Sequence, residues 1–376
     1  MKFPDRKAKI LWIAANACRV VLALTFIFSG FVKAVDPWGM GIKIEEYLAA
    51  FGMEWLCGWS MGFSIWINGA ELMMGLMLLF KVRLRLISIF AAAAMTFFTT
   101  LTLVLAIWNP VEDCGCFGEA IKLTNWETFI KNLILLPMSY FVLWSARKMP
   151  IMPTLKDLAF MVLFGCIAFG IGAYSYRHLP IIDFLPYKVG TDIPAALSVS
   201  GSDDVETVVI YRDRQTGRKH EFALSDTTWY DSGRWEYVDT ETIAINNSVH
   251  PSLRDFAIFD NQRIITDEVL SDPGVIYMVF AADIKNINRR CERKLESAVR
   301  QAAERGYRLM CITANSLEQY PRLTVGGQDM ECYNMDATTI KTILRAKVGV
   351  VVLRKGVILD KMNCRDMLDH GELPRY

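Results

Sequence analysis

Histidine is scarce in this chain. The four present in 376 residues (His178, His220, His250 and His370) are scattered, without the spacing of a metal site. Net charge is nearly absent as well, with Lys+Arg 41 against Asp+Glu 40. That balance excludes a nucleic-acid binder working through bulk positive charge. The sequence has no Gly-rich phosphate loop and no paired carboxylate cluster on a readable scaffold. Long polar tracts are missing too. With 53% hydrophobic and 12% aromatic residues there is ample apolar material to offset chain entropy, which excludes a disordered chain. The length exceeds one ordinary core and predicts two or more domains.

The near-zero net charge conceals a split. Residues 1–176 hold 15 basic and 11 acidic side chains, and the remaining 200 residues hold the other 55 charges. Five apolar runs in the first half are long enough to cross ~30 Å of hydrocarbon as helices: Ile10–Ala34, Gly58–Phe80, Leu86–Trp108, Trp126–Trp144 and Asp157–Tyr176. The first run is too long for a signal peptide and is interrupted by Arg19, with no small-residue cleavage site after it, so it reads as an uncleaved anchor.

Ten of those fifteen bases fall on one side of the expected bundle, in Met1–Lys9 and in the connections around Lys81–Arg85 and Arg147–Lys156. The opposite loops carry Asp36, Glu45, Glu46, Glu54, Glu112, Asp113, Glu119 and Glu127. The excess of bases on the cytoplasmic side predicts a cytoplasmic N-terminus and, after five crossings, an external C-terminal half. The expected setting is a bacterial inner membrane, with the second half in the periplasm and the lipid bilayer as the first partner.

Two charges lie inside the apolar runs. Arg19 is ten residues past Lys9, and Glu71 ten before Lys81. At ~1.5 Å per residue they reach a similar depth, which predicts an Arg19–Glu71 contact. Ser64, Asn68, Glu71 and Gly75 share one helix face. Arg19, Asn68 and Glu71 thus form a candidate intramembrane polar site. It reads either as a structural pair locking two helices or as a place for a quinone headgroup, a proton or a lipid headgroup.

After the turn signal Asn109-Pro110 comes Cys114-Gly115-Cys116-Phe117-Gly118, and Thr124 with Glu127 then has capping-box spacing. This puts two cysteines at the outer mouth of the bundle, where thiols can oxidise. A ring closed across Cys-Gly-Cys is small and removes little unfolded-state entropy, so it suits exchange better than stapling. A local staple is the alternative. Cys114 and Cys116 are the candidate catalytic residues.

The run Ser29-Gly30-Phe31-Val32-Lys33, Asp36-Pro37, Asn68-Gly69-Ala70-Glu71-Leu72 and Cys114-Gly115-Cys116-Phe117-Gly118 resembles the MauE/DoxX family of redox-associated membrane proteins. The resemblance covers about the first 150 residues. It implies a four-helix membrane domain over 1–150 whose outer cysteines exchange disulfides, with 151–176 added as a fifth transmembrane helix.

Residues 177–249 read as a Pro-rich linker to about Ser200, followed by a small β-rich segment. Its strands are expected at Val205–Arg212, Arg218–Leu224 and Arg234–Val238, with Trp229, Tyr230, Trp235 and Tyr237 as a small core. Over 250–376 the pattern gives strand Val275–Ala281, helix Asn288–Arg305 stopped by Gly306, strand Tyr307–Thr313, a helix capped by Asp336, strand Val348–Leu353 and strand Val357–Lys361. This order, with Pro251-x-x-x-Asp255-Phe256 before it, resembles an α/β thioredoxin-like domain of the TlpA or peroxiredoxin type. The Cys-x-x-Cys expected after the first strand is absent, and the domain reads as a binding platform without dithiol chemistry. Cys291, near the start of its helix and beside Arg289 and Arg290, reads as an ordinary helix cysteine, with a reactive thiol as the alternative; Cys311 reads as core, and Cys332 is open to pairing with Cys364.

Two functions follow. One is thiol–disulfide exchange at Cys114 and Cys116 with a periplasmic client or partner, with quinone as the cofactor the bilayer would offer. The other is a non-catalytic anchor or assembly subunit whose external domain docks onto an envelope complex. Five helices without an evident repeat disfavour a secondary transporter.

Overall fold

The computed structural model describes residues 6–109, 111, 114–149, 154–201, 205–213, 219–223, 235–244, 256–260, 263–367, 374 and 376. Helix α1 spans Arg6–Val35, and Asp36 breaks it and caps α2, Pro37–Ala50. The Asp36 carboxylate accepts from the Gly39 N–H at 3.0 Å, and Pro37 stands where no amide donor is needed. This second helix was not expected from the apolar pattern.

A 3-10 turn, Glu54–Trp59, leads into α3, Ser60–Phe80. Lys81 and Arg83, both left-handed, turn the chain into α4, Leu84–Trp108. Reciprocal capping boxes, Thr124 with Glu127 and Thr154 with Asp157, open α5 (Asn125–Ala146) and α6 (Leu155–Arg177). The five long helices are apolar enough to cross a membrane, and the five expected spans fall on them. Their outer faces carry exposed Leu11, Trp12, Phe90, Phe97, Ile134 and Leu163, a surface suited to lipid.

Helices α1 and α3 approach at backbone distance. A Cβ on Gly30 would lie 2.4 Å from the Leu72 nitrogen, and one on Gly75 would lie 2.6 Å from the Ile27 nitrogen. Small residues permit this contact, which in lipid is held by packing and polar bonds rather than by the hydrophobic effect.

Beyond α6 the chain does not run as a free linker, contrary to expectation. The Gly190 N–H donates to the Ile358 carbonyl, the Ile358 N–H to the Thr191 carbonyl, and the Ile193 N–H to the Gly356 carbonyl. Leu185, Tyr187 and Ile193 are buried, the last two within the core of the sheet domain. Helix α7, Ile193–Gly201, follows, then three antiparallel strands: β1 (Val205–Asp213), β2 (Lys219–Ala223) and β3 (Trp235–Ala244). Their order is β2-β1-β3, with a register break at Ile210/Tyr211. Trp229, Tyr230, Pro251 and Asp255 lie outside the described residues.

The remaining elements are β4 (Phe259–Asp260), β5 (Arg263–Ile264), α8 (Thr266–Ser271), β6 (Val275–Ala281), α9 (Arg289–Glu304), β7 (Arg308–Thr313), β8 (Arg322–Val325), β9 (Gln328–Asn334), α10 (Ala337–Leu344), β10 (Val348–Arg354) and β11 (Val357–Asn363). They build one sheet in the order β11-β10-β6-β7-β9-β4-β5, with β8 paired to β9. Strands β6, β7 and β9 are parallel, whereas β10 runs against β6. Strand β6 is buried along its whole length, as a strand covered on both faces must be. Ile276, Met278 and Phe280 pack with residues of α7, α8 and α10, while Tyr277, Val279 and Ala281 pack with Leu295 and Val299 of α9.

The sheet domain sits on one end of the bundle through charge. Arg345, fully buried after α10, places Nη2 3.0 Å from the Asp36 carboxylate and 3.9 Å from Glu119. Lys341 reaches Glu45 at 3.2 Å. Burial pushes the Asp36 carboxyl above its ordinary range, against the pull of Arg345.

Because the α1–α3 crossing leaves no room at Gly30, Gly30→Ala is expected to destabilise the bundle by ~1–3 kcal/mol. Thermal unfolding in detergent measures it. An unchanged midpoint would show that the two helices separate freely.

Candidate functional site

Arg19 and Glu71 do not meet. The Arg19 guanidinium donates to the Leu78 and Leu79 carbonyls at 2.6 and 2.7 Å, with Asn16 Oδ1 at 3.4 Å. It therefore closes the last turn of α3, where carbonyls lack intrahelical partners. Its side chain reaches toward the helix end, which Cα depth alone does not reveal.

Glu71 instead pairs with Lys33, both buried. Ser29, one turn before Lys33, points its hydroxyl at Glu71 Oε1 (2.8 Å) and at the Cys116 carbonyl (2.6 Å). A hydroxyl has a single proton, so it donates to one of these oxygens at a time. Asn68 donates to the Lys33 carbonyl at 3.0 Å and to Ser64 Oγ at 3.2 Å. Ser64 in turn donates to the Pro37 carbonyl at 2.7 Å. Thus Glu71 and Asn68 belong to one polar network, and Arg19 to another. Sequence reasoning missed Lys33 and Ser29 as partners of Glu71, although their i, i+4 spacing puts them on one face of α1.

That network lies directly under the cysteines. Gly115 (φ 61°) and Gly118 (φ 53°) take left-handed conformations, and the Gly118 N–H closes the turn on the Gly115 carbonyl at 3.0 Å. The turn brings the Cys114 and Cys116 sulfurs to 2.7 Å, inside ordinary sulfur–sulfur contact and within reach of a bond. Cys114 is buried against Leu105 and Val111, with Thr128 Oγ1 at 3.4 Å, whereas Cys116 is half-buried. Asn125 holds the loop by donating to the Val111 carbonyl at 2.8 Å. Lys131 lies 4.2 Å from the centroid of the Phe117 ring.

The two thiols are unequal. The hydrogen bond from Cys116 lowers the Cys114 thiol to about 6 despite its burial, helped by Thr128 and Lys131. Cys116 is raised by that same bond and by burial. Of the two thiols Cys114 is the one favoured to ionise, which makes it the better leaving group from a Cys114–Cys116 bond, and Cys116 is the less buried residue. A cavity of about 40 Å³ adjoins them, lined by Ser29, Lys33, Glu71, Cys116, Lys131 and Asn132 among others.

In the sheet domain the Cys332–Cys364 pairing that the sequence left open is not formed. Cys364, after β11, is disulfide-bonded to Cys291 in the first turn of α9. Cys291 is therefore not an ordinary helix cysteine. Cys332 stands beside Cys311 on the neighbouring parallel strands β9 and β7. Strand β11 ends beside the start of α9, a tertiary proximity with no signature in cysteine spacing.

These features define an integral membrane helical bundle with a cysteine pair at one end, carrying a covered β-sheet domain. Residues 8–145 match the family of methylamine utilisation protein MauE, so the bundle through α5 is similar to that family. No curated protein and no solved structure matches the chain.

Two outcomes test this geometry. Glu71→Gln should strand the Lys33 charge and cost ~3–5 kcal/mol. Glu71→Met combined with Lys33→Met should recover most of that loss in thermal unfolding. Additive losses in the double variant would mean that the pair is not coupled. Separately, alkylation of reduced Cys114 should rise with pH to a midpoint of about 6. A midpoint near the ordinary value of ~8.5 would remove the asymmetry between the two thiols.

Proposed function

We propose that this protein is a redox component of a bacterial cytoplasmic membrane that exchanges disulfides at Cys114 and Cys116 with a periplasmic protein client. The observation that carries this reading is the pair of adjacent sulfurs at the bundle end, with the Cys114 thiol lowered to about 6 by the hydrogen bond from Cys116. The similarity to MauE over residues 8–145 supports a membrane setting. The distribution of Lys and Arg supports a cytoplasmic N-terminus and an external sheet domain.

In the oxidising direction a client thiolate attacks Cys116. The Cys114–Cys116 bond breaks, its electron pair leaves on Cys114, and a Cys116–client disulfide forms. A second client thiolate attacks the client sulfur and releases Cys116. The client gains a disulfide, and the pair becomes a dithiol after taking up two electrons and two protons. A quinone dissolved in the bilayer is the two-electron acceptor that would restore the disulfide. The cavity beside Cys116, at about 40 Å³, has room for water and not for a ring. Its wall must therefore open for a quinone to reach the sulfur. The thioredoxin-like resemblance rests on the order β6-α9-β7, then α10 and the β10–β11 hairpin, and gives the external domain the role of positioning the client.

The assembly reading draws on one observation. Arg345 and Lys341 fix the sheet domain to the bundle through Asp36, Glu119 and Glu45, which suits a rigid docking platform. In whole cells treated with the thiol oxidant diamide, Cys114→Ser should accumulate a Cys116–client adduct on non-reducing gels, and replacing Cys116 with Ser as well should abolish it. Absence of any adduct, together with full complementation by the Cys114→Ser/Cys116→Ser variant, would favour the assembly subunit.

A further inference from the structure

A cavity of about 660 Å³ gathers charge around a disulfide. It lies where the external domain faces the end of α6, with Trp38, Tyr176 and His178 on its bundle side. Arg177, Lys285, Arg290, Lys294, Lys347 and Arg365 line it, and among the described lining residues there is no carboxylate, the nearby Asp366 being bound to His178. The Cys291–Cys364 disulfide forms part of the same wall.

Six cations around one concavity repel each other, and walls of low dielectric focus their field on an anionic occupant. A disulfide that only stapled α9 to the end of β11 would have no use for that field. Lys294 is held by the Arg365 and Met367 carbonyls, so its charge is fixed beneath the disulfide. The cavity is within the size range of small-ligand sites.

We propose that Cys291–Cys364 is a second exchange site, and that its cavity selects small thiols bearing carboxylates. This site is independent of the Cys114–Cys116 reading. A thiolate held by the cations attacks the Cys364 sulfur. The Cys291–Cys364 bond breaks, and its electron pair leaves on Cys291. Cys291 sits in the first turn of α9 beside Arg290, where the helix N-terminus and the guanidinium favour a thiolate. A second small thiolate attacks the small-thiol sulfur of the Cys364 adduct, forming the small disulfide and releasing Cys364. One protein disulfide and two small thiols thereby become one protein dithiol and one small disulfide. The protein disulfide is the oxidant, and the two thiol protons pass to Cys291 and Cys364.

The test uses the full chain in zwitterionic nanodiscs with Cys114→Ser and Cys116→Ser, so that failure here leaves the other site untouched. Opening of Cys291–Cys364 is followed by alkylation and peptide mass, with reduced glutathione, 2-mercaptoethanol and cysteamine compared per thiolate. Glutathione is expected to open the bond about tenfold or more faster than the neutral thiol, with cysteamine slowest. Lys285→Gln with Lys347→Gln should shrink that gap, slowing glutathione several-fold more than the neutral thiol. Equal rates for the three thiols, or no opening by any, would overturn the proposal. Loss of the glutathione preference in nanodiscs containing phosphatidylglycerol would also overturn it, by giving the cavity to an anionic lipid headgroup.

Discussion

The buried carboxylate of Glu71 is the constraint on which the bundle depends. A charge in the apolar interior requires a partner in good geometry, and Lys33 and Ser29 supply it from α1. They reach Glu71 because Gly30 and Gly75 let α1 and α3 meet at backbone distance. Ser29 also faces the Cys116 carbonyl, so the network that locks two helices sets the position of the cysteine turn above it. Structural and chemical readings of the intramembrane charges therefore describe the same side chains.

Charge also joins the two halves. Three acids at one end of the bundle, Asp36, Glu45 and Glu119, receive Arg345 and Lys341 from the sheet domain. Truncating Arg345 would leave a buried Asp36 without its cation, so this contact is held by the cost of breaking it. The sheet domain in turn presents Lys285, Arg290, Lys294, Lys347 and Arg365 to the cavity beside α6 and its disulfide.

Much of the architecture was legible locally. Length and hydropathy located the five long helices, Thr124 and Glu127 announced the start of α5, and Gly306 in a left-handed turn ended α9. The strand β6 is the continuous apolar run Val275–Ala281. Other features were hidden. Helix α2 is short and mixed in character, and β8–β9 lacks an apolar run. Residues 177–193 read as a linker because prolines mark turns, yet their amides pair with β11 and the turn before it. Of the candidate site, Cys114 and Cys116 are neighbours in sequence and were found as neighbours, whereas Arg19 and Glu71 were paired wrongly.

The sequence by itself determined where helices and strands form and which residues must be hidden from water, because period, length and capping are properties of a few consecutive residues. It also determined the Cys-Gly-Cys turn, since two residues apart is close in any fold. Only the tertiary structure decided the partners of long or distant side chains. Arg19 turned to the carbonyls of α3, Glu71 took Lys33, and Cys291 bonded Cys364 across 73 residues. Those choices depend on how far a side chain reaches and how helices cross, and neither is written in local spacing.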